Sequence, residues 1–441
     1  MRNSSSSRCV LCCCALVAAC AAEREGGDLP SAIAAGSGAP SARATTARQD
    51  PVQPPVADAK DSCPAGPALP AGVGLPGAAS KCGAGSPSRV FEHGLCSCND
   101  AIFTGNFSID ALDSGASGRP ASASVGVNGE LTTTGIAEIG GSLIVAGRGM
   151  SPITSASYRV DGNFETNSNL VVTGANIEFG RDLWVNGAIS VLGFSSVAGD
   201  VYQTPGNPMT GMSVGGQLFQ RSFQIAKPCA CGEGDVLDVE AIVEAGVSGL
   251  GGKPGALFQL GTGGTRELGC GPFAFGPTTI IGINTLKVTG HTALYIDGDL
   301  TITGSFGVDV GAFGELDVFV SGNLLITGVG GIGSPARPAA VRFYVGGTGD
   351  IALTGSQVFA ANLYAPRSRV MVTGVQDLWG SLFVGSYLAT GSQRMHYDAA
   401  VVRSGGAGKA CDTPPDRCKV DLDCKSPKVC AAGSCEQLGP E

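Results

Sequence analysis

Charge is what this sequence has least of. Asp, Glu, Lys and Arg make up 15% of the 441 residues, and histidine occurs three times. The net charge is −9, and no Lys/Arg run is long enough to track a phosphate backbone, which argues against nucleic-acid binding. Aromatic residues reach only 6%, with two tryptophans. What is abundant is glycine, 69 residues, beside 25 prolines. The glycines have no every-third-residue period, so a collagen helix is excluded. An apolar content of 43% still supplies enough surface to bury, which separates the chain from a disordered one. Its length corresponds to two to four ordinary domains.

The N-terminus carries Arg2 and Arg8 before a short apolar stretch, Cys9 to Ala19, too short to span a bilayer. The stretch ends in Leu16-Val17-Ala18-Ala19-Cys20, which resembles a bacterial lipobox. That resemblance implies a signal peptide over 1–19 and a lipid-bearing Cys20. An ordinary secretory signal cut near Ala19 or Ala22 is the alternative. Ala21 after the cysteine, in place of Asp, implies the outer membrane. Residues 20–62 have scarcely any large apolar side chain and read as a flexible tether.

Of 17 cysteines, four belong to the signal peptide and one is the lipid site. Export to an oxidising compartment makes disulfides the expectation for the rest. They are Cys63, Cys82, Cys96, Cys98, Cys229, Cys231 and Cys270 in the body, and Cys411, Cys418, Cys424, Cys430 and Cys435 in the tail. Both subsets are odd, so full oxidation requires a body-to-tail bridge, with Cys411 as the candidate. The pairs Cys96-Ser97-Cys98 and Cys229-Ala230-Cys231 also allow a four-thiolate zinc site, although structural zinc prefers longer spacing within a pair. No metal or cofactor is assigned. The 411–441 segment has no apolar core and must be held by cross-links. Its run Cys418-Lys419-Val420-Asp421-Leu422-Asp423-Cys424 resembles the small cysteine-rich modules of secreted proteins.

The body repeats a short unit: GDLTITG at 298–304, GNLLITG at 322–328 and GDIALTG at 349–355, with looser copies GSLIVAG at 141–147 and RDLWVNG at 181–187. Alternation puts Leu300/Ile302, Leu324/Ile326, Ile351/Leu353, Leu143/Val145 and Leu183/Val185 on one face. Strands this short cannot bury that face alone, so coils must stack. The predicted fold is all-β, a glycine-rich parallel β-solenoid with one short helix and a disulfide-rich tail. A jelly roll or sandwich is the alternative.

The stretch Asp235–Ala245 breaks the pattern and predicts a helix with Asp235 as N-cap. The organisation is then a lead-in at 63–95, solenoid at 96–226, a helix-containing insertion at 227–276, solenoid at 277–403, and the tail. The helix either marks a seam between two solenoids or lies against the side of a single one.

From Asn362 the chain reads NLYAPRSRVMVTGVQDLWGSLFVGSYLATGSQRMHYD, carrying Tyr364-Ala365-Pro366, Gly380-Ser381 and His396-Tyr397-Asp398. This resembles the C-terminal segment of a family of exported bacterial proteins of unknown function, some pilus-associated. With the C-x-C pairs, the helix and PAAVRFYVGG at 338–347, residues 96–398 resemble relatives that are lipoproteins with cysteine-rich tails. Runs such as VAGDVY (197–202) also resemble bactofilins. The resemblance carries no activity with it.

Polysaccharide-cleaving β-helices need clustered carboxylates, and the densest group here is Asp297, Asp299, Asp309 and Asp317 with Lys287. Asp299 occupies the bend that other copies fill with Asn323 or Asp350, as a turn residue would. His396-Tyr397-Asp398 lacks a nucleophile elbow and reads as a packing motif, with Met395 and Tyr397 covering one end of the stack. Trp184, Phe194 and Trp379 are candidate sugar platforms. The expected function is structural, a membrane-anchored scaffold or assembly subunit. The alternatives are an adhesin or glycan-binding module, then a polysaccharide-active enzyme. Expected partners are the membrane, other copies of the chain or a surface polysaccharide.

Overall fold

A computed structural model describes residues 90–115, 122–252, 255–257, 263–312, 314–328, 330–354, 358–402, 428–431 and 434–437, all within the compact unit Ala59–Glu441. The signal peptide, Cys20, the tether, Cys63, Cys82, Cys411, Cys418 and Cys424 lie outside these residues. Lys428–Ala431 and Ser434–Gln437 form an antiparallel hairpin in which Cys430 and Cys435 take facing register positions.

The body is a parallel β-solenoid of about 12 turns with one α-helix. The predicted inward face is buried throughout: Leu143, Val145, Leu183, Val185 and Ile351 are fully enclosed, and Leu300, Ile302, Leu324, Ile326 and Leu353 nearly so. Glycine makes the corners. Gly374, Gly391, Gly105 and Gly135 follow one another coil by coil, all at positive φ. A Cβ on Gly105 would meet the Gly391 carbonyl oxygen at 2.1 Å, so the corner admits no side chain.

The order of coils differs from the order of the chain. The first coil, Leu95–Ser97 and Ala101–Leu112, pairs on one side with Val125–Val127 and Leu131–Ile139, the coil that follows it. On its other side it pairs with Leu382–Asp398, the last coil of the body. Residues 95–220 therefore stack outward from this junction, and residues 264–398 stack toward it from the opposite end. All these pairings are parallel, so the two runs make one sheet system. Between them, residues 221–252 travel back along the side of the stack, and this stretch includes the helix α1 (Val239–Gly249).

The helix starts later than the sequence suggests. Its N-cap is Asp238, whose Oδ1 accepts the Ala241 amide at 3.0 Å, while Asp235 sits in a preceding turn. Starting there places Val239, Ile242, Val243, Gly246 and Val247 on one buried stripe. Val236, inside the predicted helix, precedes the observed one and is half-exposed.

Candidate functional site

The first residue of interest in each coil is the bend Asp or Asn. Asp299 accepts the backbone N–H of Asn323 at 2.7 Å, and Asn323 in turn accepts that of Gly349 at 2.8 Å. Asp182 accepts from Asp200 at 2.9 Å, and Asp200 from Gln217 at 2.8 Å. Each side chain thus ties its own coil to the next. Burial pushes the Asp182 carboxyl up, opposed by the hydrogen bond it receives.

Of the other carboxylates considered for catalysis, Asp317 is the one in a built environment. Arg342 donates to it through Nε at 2.5 Å and Nη2 at 3.1 Å, and the same Nη2 reaches Glu315 at 2.8 Å. His291 approaches Asp317 from the exposed side at 3.3 Å. Burial opposes the charge on Asp317, but the Arg342 charge and the hydrogen bonds from His291 and Arg342 overcome it, holding the carboxyl below the usual range. The bond to Asp317 raises the His291 pKa. Glu315 stands in register with His291, and Asp317 with Arg342, on three successive coils, so the cluster braces coils together. Asp309 pairs in register with Lys287 elsewhere, and Asp299 is used at its bend, so the proposed acidic group is not one site. Among the described residues no group of three or more His, Cys, Asp or Glu is placed to hold a metal ion.

The C-x-C pairs are bonded to each other as disulfides, Cys96–Cys229 and Cys98–Cys231, and do not form a zinc site. Cys270 is also disulfide-bonded. These bonds belong to an oxidising environment.

They also fasten the returning segment over an aromatic ladder. The register aligns Tyr295, Phe319, Tyr344, Tyr364 and Phe383 with Cys96, Gly126, Ile144, Glu165, Trp184, Tyr202 and Phe219, at the outward position of each strand. Neighbouring rings stack, at 4.7 Å for Phe319–Tyr344 and 3.7 Å for Trp184–Tyr202. Outward aromatics would be a sugar-binding row if they were bare. Here Arg221 lies 4.5 Å over Trp184, Phe223 meets its edge, and Tyr364 accepts the Leu237 amide. Burial raises the Tyr344 pKa, and the Tyr295 hydroxyl is pushed up to about 12 by burial and then by Asp317.

Three asparagines hold the extended part of the cover. Asn167 grips both backbone groups of Ile225 at 2.8 Å, and Asn128 does the same for Cys229 at 2.8 and 3.0 Å. Asn186 donates to the Phe223 carbonyl at 2.8 Å. Sequence reasoning missed this role. The signal was present in the Asn of RDLWVNG, which reads as a bend residue when taken alone.

His396-Tyr397-Asp398 does not cover an end of the stack. It clasps the junction between the last coil and the first, because residues 387–398 pair one for one with 101–112. His396 contacts Asp110 at 2.7 Å and stacks under Trp379 at 3.9 Å. Tyr397 donates to the Phe91 carbonyl at 2.9 Å, and Asp398 accepts from the amides of Ser114, Ala339 and Ala400. Met395 is buried inside this seam. Of the three proposed sugar platforms, Trp184 is covered and Trp379 half-covered, while Phe194 is 80% exposed.

A second outward row is open. Thr354, Thr373, Thr390, Thr104, Thr134, Thr154 and Thr173 stand in register, and the row ends at Leu192. All but the half-buried Thr354 are exposed, giving an uncharged ridge beside the glycine corner.

Among the described residues no helix is long and apolar enough to cross a membrane. Residues 240–403 match a family described as a domain of unknown function (DUF7305). The matched stretch holds most of α1 and the coils up to the seam. No curated protein and no solved structure matches the chain.

Proposed function

We propose that this chain is an exported structural protein, anchored at the outer membrane through a lipid on Cys20, and that it works by docking coil ends and without chemistry of its own. The observation that carries this reading is the seam. Two runs far apart in sequence join end to end through a continuous backbone ladder and a shared apolar interior. A sequence that joins coil ends once has the means to do so again between molecules. Asp299, Asp317 and the His-Tyr-Asp motif, which an enzyme would need free, are spent on holding coils together.

The test is sedimentation velocity with negative-stain imaging of the full-length chain produced in an oxidising compartment. Concentration-dependent assembly is expected. A chain that stays monomeric at every concentration overturns the reading. Mass spectrometry of the N-terminal peptide checks the anchor, which Cys20→Ser should abolish.

The threonine ridge favours a second reading, a glycan-binding module, because Leu192 and Phe194 project at its end, 68% and 80% exposed. In that case Phe194→Ala should lower retention on immobilised polysaccharide. Unchanged retention removes the reading.

A further inference from the structure

The two ends of the coil stack are finished differently. At the end formed by Gly264–Leu268 and Gly271–Phe275, Gly255 bridges Phe275, and Leu257 is buried among the interior residues. Arg266 fixes that plug by donating to the carbonyls of Ala256 at 2.9 Å and Leu257 at 2.6 Å. Its neighbour Glu267 is exposed, so this end carries charge on its outermost strand.

The opposite end has neither device. The strands Met209–Thr210, Ser213–Val214 and Leu218–Gln220 each pair with one coil only, and no other described strand lies against their outer edges. Met209, Val214 and Leu218 sit in register with Ile189, Val197 and Val201, which are buried interior positions. On this last coil the same positions open outward. Leu218 is 44% exposed, and Met209, Met212 and Val214 are half-buried. From Val201 to Gln220 there is no Asp, Glu, Lys or Arg. Edge strands are ordinarily protected by charges or by a cover, and this one has neither among the described residues.

We propose that this bare end docks against the same end of a second copy, making a closed two-fold dimer. This rests on the assembly reading above and narrows it. An uncharged face meets its own copy without like-charge repulsion, and antiparallel pairing completes the open edges of both. The seam at 387–398 and 101–112 is the precedent within the molecule for joining coil ends without chain continuity. Head-to-tail growth is blocked by the Leu257 plug, so the product is a dimer and not a filament.

The test uses the full-length chain and two variants, Leu218→Lys and Leu218→Asp, each checked for an unchanged circular dichroism spectrum and melting curve. Sedimentation equilibrium should give a dimer for the parent chain. Each variant alone should dimerise at least about tenfold more weakly, since like charges then face each other across the end. Mixing the two variants should restore a dimer, now of opposite charges. An assembly insensitive to both substitutions overturns this inference and leaves the assembly reading standing. A parent chain that is monomeric throughout overturns both. Weakening that mixing does not rescue assigns the end to another occupant, such as the chain's own tail, and overturns the two-fold dimer.

Discussion

The two coil runs build one stack from the same kind of strand, but they are covered by different means. In residues 125–220 the inter-coil contacts step by 17 to 21 residues, and the outward ladder is covered by an extended segment. In residues 264–345 the register steps widen from 20 to 25 residues and the cover is α1. An extended segment has few side chains to bury, so it needs fixed points. The asparagine clamps and two disulfides supply them. A helix brings its own apolar stripe, and the rings of Tyr295 and Phe319 give it a surface to lie on. The ladder follows the cover in detail. It narrows to Gly126, where Pro228 and Cys229 cross, and widens to tyrosine where the helix passes. Where the larger coils need polar support, they take it from Arg342.

That ion pair gives the largest expected effect. Arg342→Met leaves Asp317 half-enclosed with no full cation beside it, and should cost about 3–5 kcal/mol in chemical denaturation. The loss should appear first in hydrogen exchange of strands Glu315–Val320 and Val341–Val345, with the 125–220 coils least affected. Equal loss across both runs would mean that they unfold as one unit. The disulfides come next. Replacing Cys96, Cys98, Cys229 and Cys231 by alanine should cost about 2–5 kcal/mol. Here the order reverses: limited proteolysis should cut within 221–238 before α1 is reached. Cleavage that starts in α1 would show that the helix, and not the cross-links, holds the cover.

These differences bear on what could be seen beforehand. The inward face of each coil was legible, because strict alternation in runs such as GDLTITG has one explanation in a stacked strand. The solenoid followed from it. The coil order was not legible, because residues 101–112 match either neighbour equally well in pattern, and only the three-dimensional closure chooses both. For the same reason His396-Tyr397-Asp398 was recognisable as packing, while its place at an internal seam was hidden. The helix start slipped because Asp235 and Asp238 both qualify as caps, and the choice belongs to the stripe that meets Tyr295 and Phe319. Trp184 sits inside the repeat copy RDLWVNG. Nothing local showed that residues 221–225 cover it.

The helix cover has a sharper test at one glycine. A Cβ on Gly246 would stand 2.6 Å from carbons of the Tyr295 ring, so the helix approaches as closely as it does only because that position is bare. Gly246→Leu should cost about 1–3 kcal/mol through overpacking, read as a lower melting temperature. Combining it with Tyr295→Ala should recover part of the loss, because the substitution removes the ring that clashes. No recovery would place the strain in the helix itself and not at its contact with the ladder.

The smallest effect is a pH dependence confined to the larger coils. Asp317 has a depressed folded pKa, so its contribution is present above the unfolded value of about 4 and is lost as the pH falls through the folded one. His291 has a raised folded pKa, so its contribution is complete below about 6.5 and disappears as the pH rises through the folded value. The imidazole is 53% exposed, which keeps the effect small. The stability difference between the parent chain and His291→Gln should therefore shrink from mildly acidic to mildly alkaline pH. In an Arg342→Met background the acid-side loss attached to Asp317 should flatten, because the cation that favours its ionised form is gone. A His291→Gln difference that grows with pH would mean that the imidazole acts in its neutral form, and that Arg342 alone carries the charge balance of these coils.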